Sequence, residues 1–492
     1  MFLHFTEDSY EKALIGLFQS MGYEYAYGPD IERNYQEPYY LNQIWASLPI
    51  VNPSKHQNAI AEAIKKLTNI DSGDLAQKNG IFMDYLQNGI PVAYHDGKEI
   101  RHDIVYLIDY ENTHRNTFQI INQWTYVEKS EKRADLIVFV NGLPLVLIEL
   151  KSPSREETDA SAAYRQIKNY MHEIPSMFTY NAFCVMSDMM CSKAGTITSS
   201  EDRFMEWKTK DGNYESTQYA DYDTFFEGIF PKDRLLDIIK NFTCFSHEEK
   251  GAAKILAGYH QYFAVRKAVE RTVKATNGDG KIGVFWHTQG SGKSLSMVFY
   301  AHMIQEALSQ PTIVVITDRN DLDDQLYAQF AKCKDFLRQT PVQAQNREHL
   351  QELLRKREAN GIIFTTMQKF EESHEALSER RNIVVMADEA HRGQYGLVEK
   401  IKMTKNEDGE EIAKESLVST EAKTGLKVFI ADKDDSSNTT ELPYSATTET
   451  FNYTPTKAGV YEIIYRYYAD GYVQDYKTDS FVVKDNFIKL NK

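Results

Sequence analysis

The chain is poor in several things, and each shortage closes a class of function. It has four cysteines among 492 residues, Cys184, Cys191, Cys244 and Cys333, with no C-x-x-C pair, which leaves neither a disulfide framework nor a thiolate zinc site. No uninterrupted apolar run approaches the roughly 18 residues that a membrane span requires. The opening MFLHFTEDSYEKALIGLF places acids where a secretory leader needs a basic segment. A protein of the reducing cytoplasm, with no membrane partner, is expected. Positive charge is short as well. The 56 Lys and Arg face 71 Asp and Glu, a formal charge of −15, so the chain is not built to coat nucleic acid, although a local basic groove stays open to it.

What is present falls into three textures, which agrees with about 150 residues per domain. Residues 1–250 begin with an amphipathic helix over Ser9 to Met21 and a second helix in HQNAIAEAIKKLTNI. The pattern then turns to strands in FQIINQWTYV, DLIVFV and LPLVLIELK, with Asn141-Gly142 as a hairpin turn between the last two. A helix is expected over about Glu157 to Ile174. In residues 251–415 short apolar runs, IGVFW (282–286), IVVIT (313–317), GIIFTT (361–366) and NIVVMAD (382–388), alternate with helical segments. Such alternation predicts a doubly wound parallel sheet. Residues 416–492 read as an all-β module, with aromatic and β-branched runs between Gly, Pro, Asn and Asp turns.

HTQGSGKS, His287 to Ser294, lies between an expected strand and a helix. Around Thr288 and Ser291, Gly290 and Gly292 free the backbone to wrap a phosphate, Lys293 supplies charge to the β- and γ-phosphates, and Ser294 offers a hydroxyl to Mg²⁺. His287 replaces the usual first glycine, so this is a variant Walker A loop; the alternative is a glycine-rich turn that binds nothing. Asp388-Glu389-Ala390-His391 closes the run NIVVMAD. A buried strand delivers such acids to the carboxyl edge of the sheet, where Asp388 would hold Mg²⁺ and Glu389 would activate the attacking water. This pair of motifs resembles the first motor lobe of superfamily 2 helicases and DNA translocases. TDRNDLDDQ (317–325) and FTTMQKF (364–370) resemble further motifs of that lobe. The resemblance makes Gln261 the glutamine that reads adenine, with an ordinary helix-surface residue as the alternative.

Counted from the Asn141-Gly142 turn, Asp135 lies opposite about position 148, within a residue of Glu149. Glu149 and Lys151, two apart on a strand, share a face. Two hard carboxylates suit Mg²⁺, and the lysine can orient the hydroxide that attacks a phosphodiester. The bland alternative is a hairpin with charged ends. The D-x13-E-x-K spacing resembles the PD-(D/E)xK nucleases, and NGLPLVLIELKSPS resembles the nuclease domain of type I restriction enzymes. That resemblance implies that Gln166 and Tyr170 form the Q-x-x-x-Y element beside the metal. Glu11 is either the family's additional acid or a solvated acid on a helix face.

In this order, the two motif sets are similar to the restriction (R) subunit of type I restriction-modification enzymes over residues 1–415. The resemblance implies ATP and Mg²⁺ as cofactors, double-stranded DNA as substrate, and methylation and specificity subunits as partners. The tail departs from that family. Arg466 is the only arginine after residue 415, and the tail resembles part of an immunoglobulin-like sandwich rather than a second motor lobe. ATP turnover is therefore expected to be weak and translocation lost. Two other classes stay open, a helicase-like ATPase whose nuclease half is scaffold and a non-catalytic chain that binds through its β module.

Overall fold

The computed structural model describes residues 7–151, 160–188, 190–213, 222–248, 251–285, 290–317, 320–357, 359–366 and 377–388, together with the backbone of the strands named below between 403 and 483. By packing, the chain divides into two compact units, Met1–Met386 and Ala387–Lys492.

The first unit opens with α1 (Glu7–Ser20), whose Tyr10, Leu14, Ile15 and Phe18 fall on one buried stripe, the spacing that makes a helix amphipathic. After β1 (Glu24–Tyr27) come α2 (Leu41–Val51), α3 (Gln57–Thr68) and α4 (Leu75–Asn88). His56 caps α3 by accepting from the Asn58 amide, and Asp74 with Gln77 forms a reciprocal capping box on α4, each satisfying donors a helix start leaves open. Gly89, at φ +83, ends α4 and turns the chain into the hairpin β2 (Ile90–His95) and β3 (Ile100–Val105).

A sheet follows from β4 (Phe118–Val127), β5 (Glu131–Val140) and β6 (Leu143–Leu150). Asn141 and Gly142 have φ of +53 and +84, the pair of left-handed residues that a tight two-residue hairpin requires. Helices α5 (Ala160–Glu173) and α6 (Pro175–Thr179) then lead to β7 (Phe183–Ser187) and β8 (Ser192–Gly195). The six strands lie in the order β1-β4-β5-β6-β7-β8. β1 runs parallel to β4 and β6 parallel to β7, and the other pairs are antiparallel. Side-chain alternation sorts the sheet into two faces. Leu136, Val138 and Val140 join the core that holds α1, while Ile137, Phe139 and Leu147 pack with Ala163, Ile167 and Tyr170 of α5. Asp135 and Glu149 have the parity of this second group, so their face is the one α5 covers.

Next come α7 (Tyr222–Ile229), α8 (Lys232–Asn241), the hairpin β9 (Thr243–Glu248) and β10 (Gly251–Leu256), and α9 (Tyr259–Ala275). Then α10 (Lys293–Ala307), β11 (Thr312–Thr317), α11 (Asn320–Lys332), α12 (Lys334–Leu337), β12 (Val342–Gln343), α13 (Arg347–Lys356), β13 (Ile362–Thr366) and β14 (Ile383–Ala387) build a sheet in the order β12-β13-β11-β14. β13 is parallel to both β11 and β12. This is the expected α/β alternation with a parallel sheet, with one difference. Of the run IGVFW (282–286), read as the strand before the phosphate loop, residues 282–285 carry no strand and Val284 is 88% exposed, while Trp286 lies outside the described residues. An apolar run becomes a strand only through a paired strand, and the described part of this run is in no sheet.

In the second unit, β15 (Met403–Lys405) pairs with β16 (Glu411–Ala413). β17 (Gly425–Asp432), β18 (Asp435–Glu441), β19 (Tyr444–Ser445), β20 (Thr450–Phe451), β21 (Gly459–Ala469), β22 (Tyr472–Lys477) and β23 (Phe481–Val483) follow. β17, β18, β21, β22 and β23 form one antiparallel sheet, and β19 pairs with β20. The tail is therefore β-rich, as its turn residues predict. No helix among the described residues is long and apolar enough to cross a membrane.

Candidate active site

The β5–β6 hairpin brings its acids together through a bulge. Next to the turn the register pairs Val140 with Leu143 and Phe139 with Pro144, and beyond Val138 it shifts by one, so that Leu136 faces Ile148. The next position along that ladder sets Asp135 against Glu149. There the strands part, and the Leu150 amide donates to Asp135 Oδ2 at 2.9 Å. The Glu149 side chain is only 3% exposed. Lys151 Nζ donates to Glu149 Oε1 at 2.7 Å and to the Leu150 carbonyl at 2.8 Å.

Electrostatics mark this pair as costly to fold. Burial, opposed by the Leu150 hydrogen bond and by Lys151, lifts the Asp135 carboxyl to about 6. Burial and the neighbouring Asp135 lift Glu149 to about 8. Glu149 Oε2 is buried without a hydrogen-bond partner, a state that costs about 1–3 kcal/mol or more for a charged group. A divalent cation fits this opening, because it would ligate the orphaned oxygen and offset two carboxylates at once. No group of three or more His, Cys, Asp or Glu side chains suited to a metal is found among the described residues; Asp135 and Glu149 are the two acids that meet here, with Glu7 and Glu11 near enough to push the Asp135 carboxyl further up.

Tyr170 joins the same place from α5. Its hydroxyl donates to the Arg133 carbonyl at 3.0 Å. Its pKa is raised, chiefly by burial and next by Glu149, while a hydrogen bond with Gln166 opposes the rise. Tyr170 thus stands beside the two carboxylates, with Gln166 against its hydroxyl. Glu11 is half-buried and is not a solvated helix-face acid. Its Oε1 accepts from Asn122 Nδ2 at 2.6 Å and its Oε2 from Gln123 Nε2 at 2.8 Å. Sequence reasoning passed over these two amides; the signal was a polar pair, Asn122-Gln123, inside the otherwise apolar strand FQIINQWTYV.

The phosphate loop is described from Gly290 onward. Gly290 and Gly292 both have φ +81, and α10 starts directly at Lys293, so the last turn of the loop feeds a helix N-terminus as a phosphate cradle must. Ser291 and Ser294 flank Gly292 and Lys293 there. Helix α9 grips this turn. His260 Nε2 donates to the Ser291 carbonyl at 3.0 Å and Gln261 Nε2 to the Gly292 carbonyl at 3.0 Å. His260 is a further residue that sequence reasoning passed over, and its position beside Gln261 was the available signal. Asp388 lies in a turn directly after β14, half-buried. Thr288, Glu389, His287 and His391, and residues 367–370 of FTTMQKF, lie outside the described residues.

Comparison with known proteins adds two family matches. Residues 4–203 match the Type I restriction enzyme R protein N terminus, and residues 260–413 match the SWI2/SNF2 ATPase family. The Type I restriction enzyme HindI endonuclease subunit of Haemophilus influenzae is 39% identical over 427 residues, which cover 82% of this chain and 40% of that relative. A Methanocaldococcus jannaschii chain is 34% identical over 425 residues, 78% of this chain and 40% of its own length. The Type I restriction enzyme SauCOLORF180P endonuclease subunit of Staphylococcus aureus is 26% identical over 340 residues, 67% of this chain and 34% of that relative. The chain thus spans well under half the length of the relatives it matches.

Proposed function

We propose, from the premise that this chain belongs to the type I restriction enzyme R protein family, that residues 1–250 are a PD-(D/E)xK endonuclease domain cutting double-stranded DNA and residues 251–415 an ATP-binding lobe of the superfamily 2 kind. The observation that carries the nuclease reading is the buried Glu149 carboxylate, with one oxygen on Lys151 and the other unpartnered beside Asp135. Mg²⁺ held by Asp135 and Glu149 would supply Lewis acidity toward the scissile phosphate and a bound water of lowered pKa. Lys151, fixed by Glu149 Oε1 and the Leu150 carbonyl, presents its ammonium to the same space and orients the attacking water. Tyr170 and Gln166 keep that side of the site closed and hydrogen-bonded. In the ATP-binding lobe, by the roles of the motifs, Lys293 and the amides after Gly292 would bind nucleotide phosphates, Ser294 and Asp388 would be the Mg²⁺ residues, Glu389 would activate water and Gln261 would read adenine. Methylation and specificity subunits supply target recognition, in the cytoplasm, and residues 416–492 are a separate β module.

The test is a pair of variants in the complex reconstituted with methylation and specificity subunits. Asp135→Ala is expected to abolish plasmid cleavage and leave binding of a fluorescent ATP analogue intact, and Lys293→Ala to weaken that binding at least tenfold. Undiminished cutting by Asp135→Ala would overturn the nuclease assignment.

A further inference from the structure

Strand β4 is kinked where it passes the carboxylates. Gln123 has φ +53, a left-handed conformation that is strained for a non-glycine residue. The ladder with β5 pairs Asn122 with Leu136 and Trp124 with Ala134 and skips the position between, where Gln123 faces Asp135. On the other side, the ladder of β5 with β6 ends at Leu136 and Ile148. Asp135 therefore sits in a notch where β5 is released from both neighbours, and its carboxylate takes the Leu150 amide that a strand partner would otherwise have taken.

The kink is braced rather than loose. Successive side chains of a straight strand point to opposite faces, yet Asn122 and Gln123 both donate to Glu11, at 2.6 and 2.8 Å. Tyr25 donates its hydroxyl to Asn122 Oδ1 at 3.2 Å, which fixes the orientation of that amide. Gly28 lies flat on the same segment, since a Cβ there would stand 2.6 Å from the Asn122 carbonyl oxygen and 3.0 Å from that of Gln123. Both oxygens of Glu11 are thus occupied by amides in this arrangement, not turned to a cation.

We propose that Glu11, Asn122 and Gln123 are positioning residues, in which Glu11 clamps two successive amides, the clamp holds the left-handed kink, and the kink keeps open the notch that presents Asp135 beside Glu149. This rests on the nuclease reading above and assigns Glu11 a different task from that of a third metal ligand. Strain of this kind persists only where surrounding contacts over-determine it, and bulges recur where a strand must re-aim a catalytic side chain.

The experiment is calorimetric titration of the full chain with Mn²⁺ at pH 8. Glu11→Ala and Gln123→Ala are each expected to weaken Mn²⁺ binding about ten- to a hundredfold, the range found for residues that orient metal ligands. The double variant is expected to bind no more weakly than the worse single one, because both remove one brace. Gln123→Asn, which tolerates the left-handed region and keeps an amide, should retain most of the affinity, and thermal midpoints should stay within a few degrees. Should Gln123→Ala fail to fold, Gln123→Gly, which takes the left-handed φ without strain but has no amide for Glu11, is expected to bind Mn²⁺ more weakly than the parent yet more tightly than Glu11→Ala. Additive losses in the double variant, or a loss in Glu11→Ala matching Glu149→Gln while Gln123→Ala binds normally, would make Glu11 a direct ligand and overturn the proposal. A parent chain that binds no Mn²⁺, with Glu149→Gln indistinguishable from it, would instead remove the nuclease reading and the brace with it.

Discussion

Gln261 spans the gap between helix α9 and the phosphate loop, its Nε2 donating to the Gly292 carbonyl at 3.0 Å and its Oε1 accepting the Gly258 amide at 2.9 Å. The side chain is 5% exposed, and a Cβ on Gly292 would stand 2.7 Å from its Nε2. The side chain is thus a strut that sets the last turn of the loop.

Gly292→Ala therefore meets two penalties. The left-handed φ of +81 costs an alanine roughly 1–2 kcal/mol, and the new methyl pushes on Gln261. The variant is expected to bind a fluorescent ATP analogue at least tenfold more weakly, with a lower thermal midpoint. Adding Gln261→Ala relieves the contact but not the φ, so the double variant should regain part of the stability and little of the binding. Full recovery of binding would show that the clash alone mattered.

The raised carboxyls make stability depend on pH with a definite sign. Between the ordinary carboxylate range and about 8, folded Glu149 keeps a proton that the unfolded chain has lost. Stability from this group is thus lost as pH rises through that window and does not change below it. Asp135 acts the same way up to about 6. Glu149→Gln, neutral at every pH, is expected to raise the unfolding free energy from urea titration at pH 8.5 by an amount on the order of 2 kcal/mol, and to match the parent near pH 4. A constant difference across that range would contradict the burial of an ionising Glu149.

How much of this could be read in advance follows the range of each interaction. The hairpin was legible because Asn141-Gly142 fixes its own turn, and strands β4 and β17 have the ends their apolar runs suggest. Turn-based counting put Asp135 opposite about position 148. The bulge after Val138 moves it onto Glu149, and a bulge depends on what packs beneath, which no local pattern carries. The strand expected at 282–286 and not formed over 282–285 has the same origin, since apolar residues announce a wish for burial but not whether a sheet supplies it. The clamp on Glu11 joins residues more than a hundred positions apart, so only its polar pair in an apolar strand was visible.

Lys254 offers the opposite pH sign. It is 3% exposed, and its Nζ donates to Asn79 Oδ1 at 2.8 Å and to the Asn181 carbonyl at 2.7 Å. Burial depresses its pKa to about 7. Between about 7 and the ordinary lysine range the unfolded chain holds a proton the folded one lacks, so stability rises with pH there. Lys254→Met should lose that rise, being at least as stable as the parent near pH 6 and less stable near pH 9.5, where the parent keeps both hydrogen bonds. Melting curves of the two chains at these pH values check it, and parallel curves would refute it.

Lys151 separates two roles that a single loss of activity would confuse. Among the described residues its ammonium is the one hydrogen-bond partner of Glu149 Oε1, at 2.7 Å, while Oε2 has none. Lys151→Met would leave both oxygens of a buried carboxylate unpaired, so Glu149 would hold its proton to still higher pH. A metal must displace that proton. The midpoint of Mn²⁺ binding against pH is therefore expected to move up by about one unit or more in the variant, with affinity at the alkaline plateau no weaker than the parent's, because a competing positive charge has gone. With Lys151 proposed to orient the attacking water, DNA cutting by the reconstituted complex should fail at that plateau despite the bound metal. Cutting that returns together with metal binding would confine Lys151 to electrostatic support of Glu149. An unmoved midpoint would show that the ion pair does not set the charge of Glu149 at all.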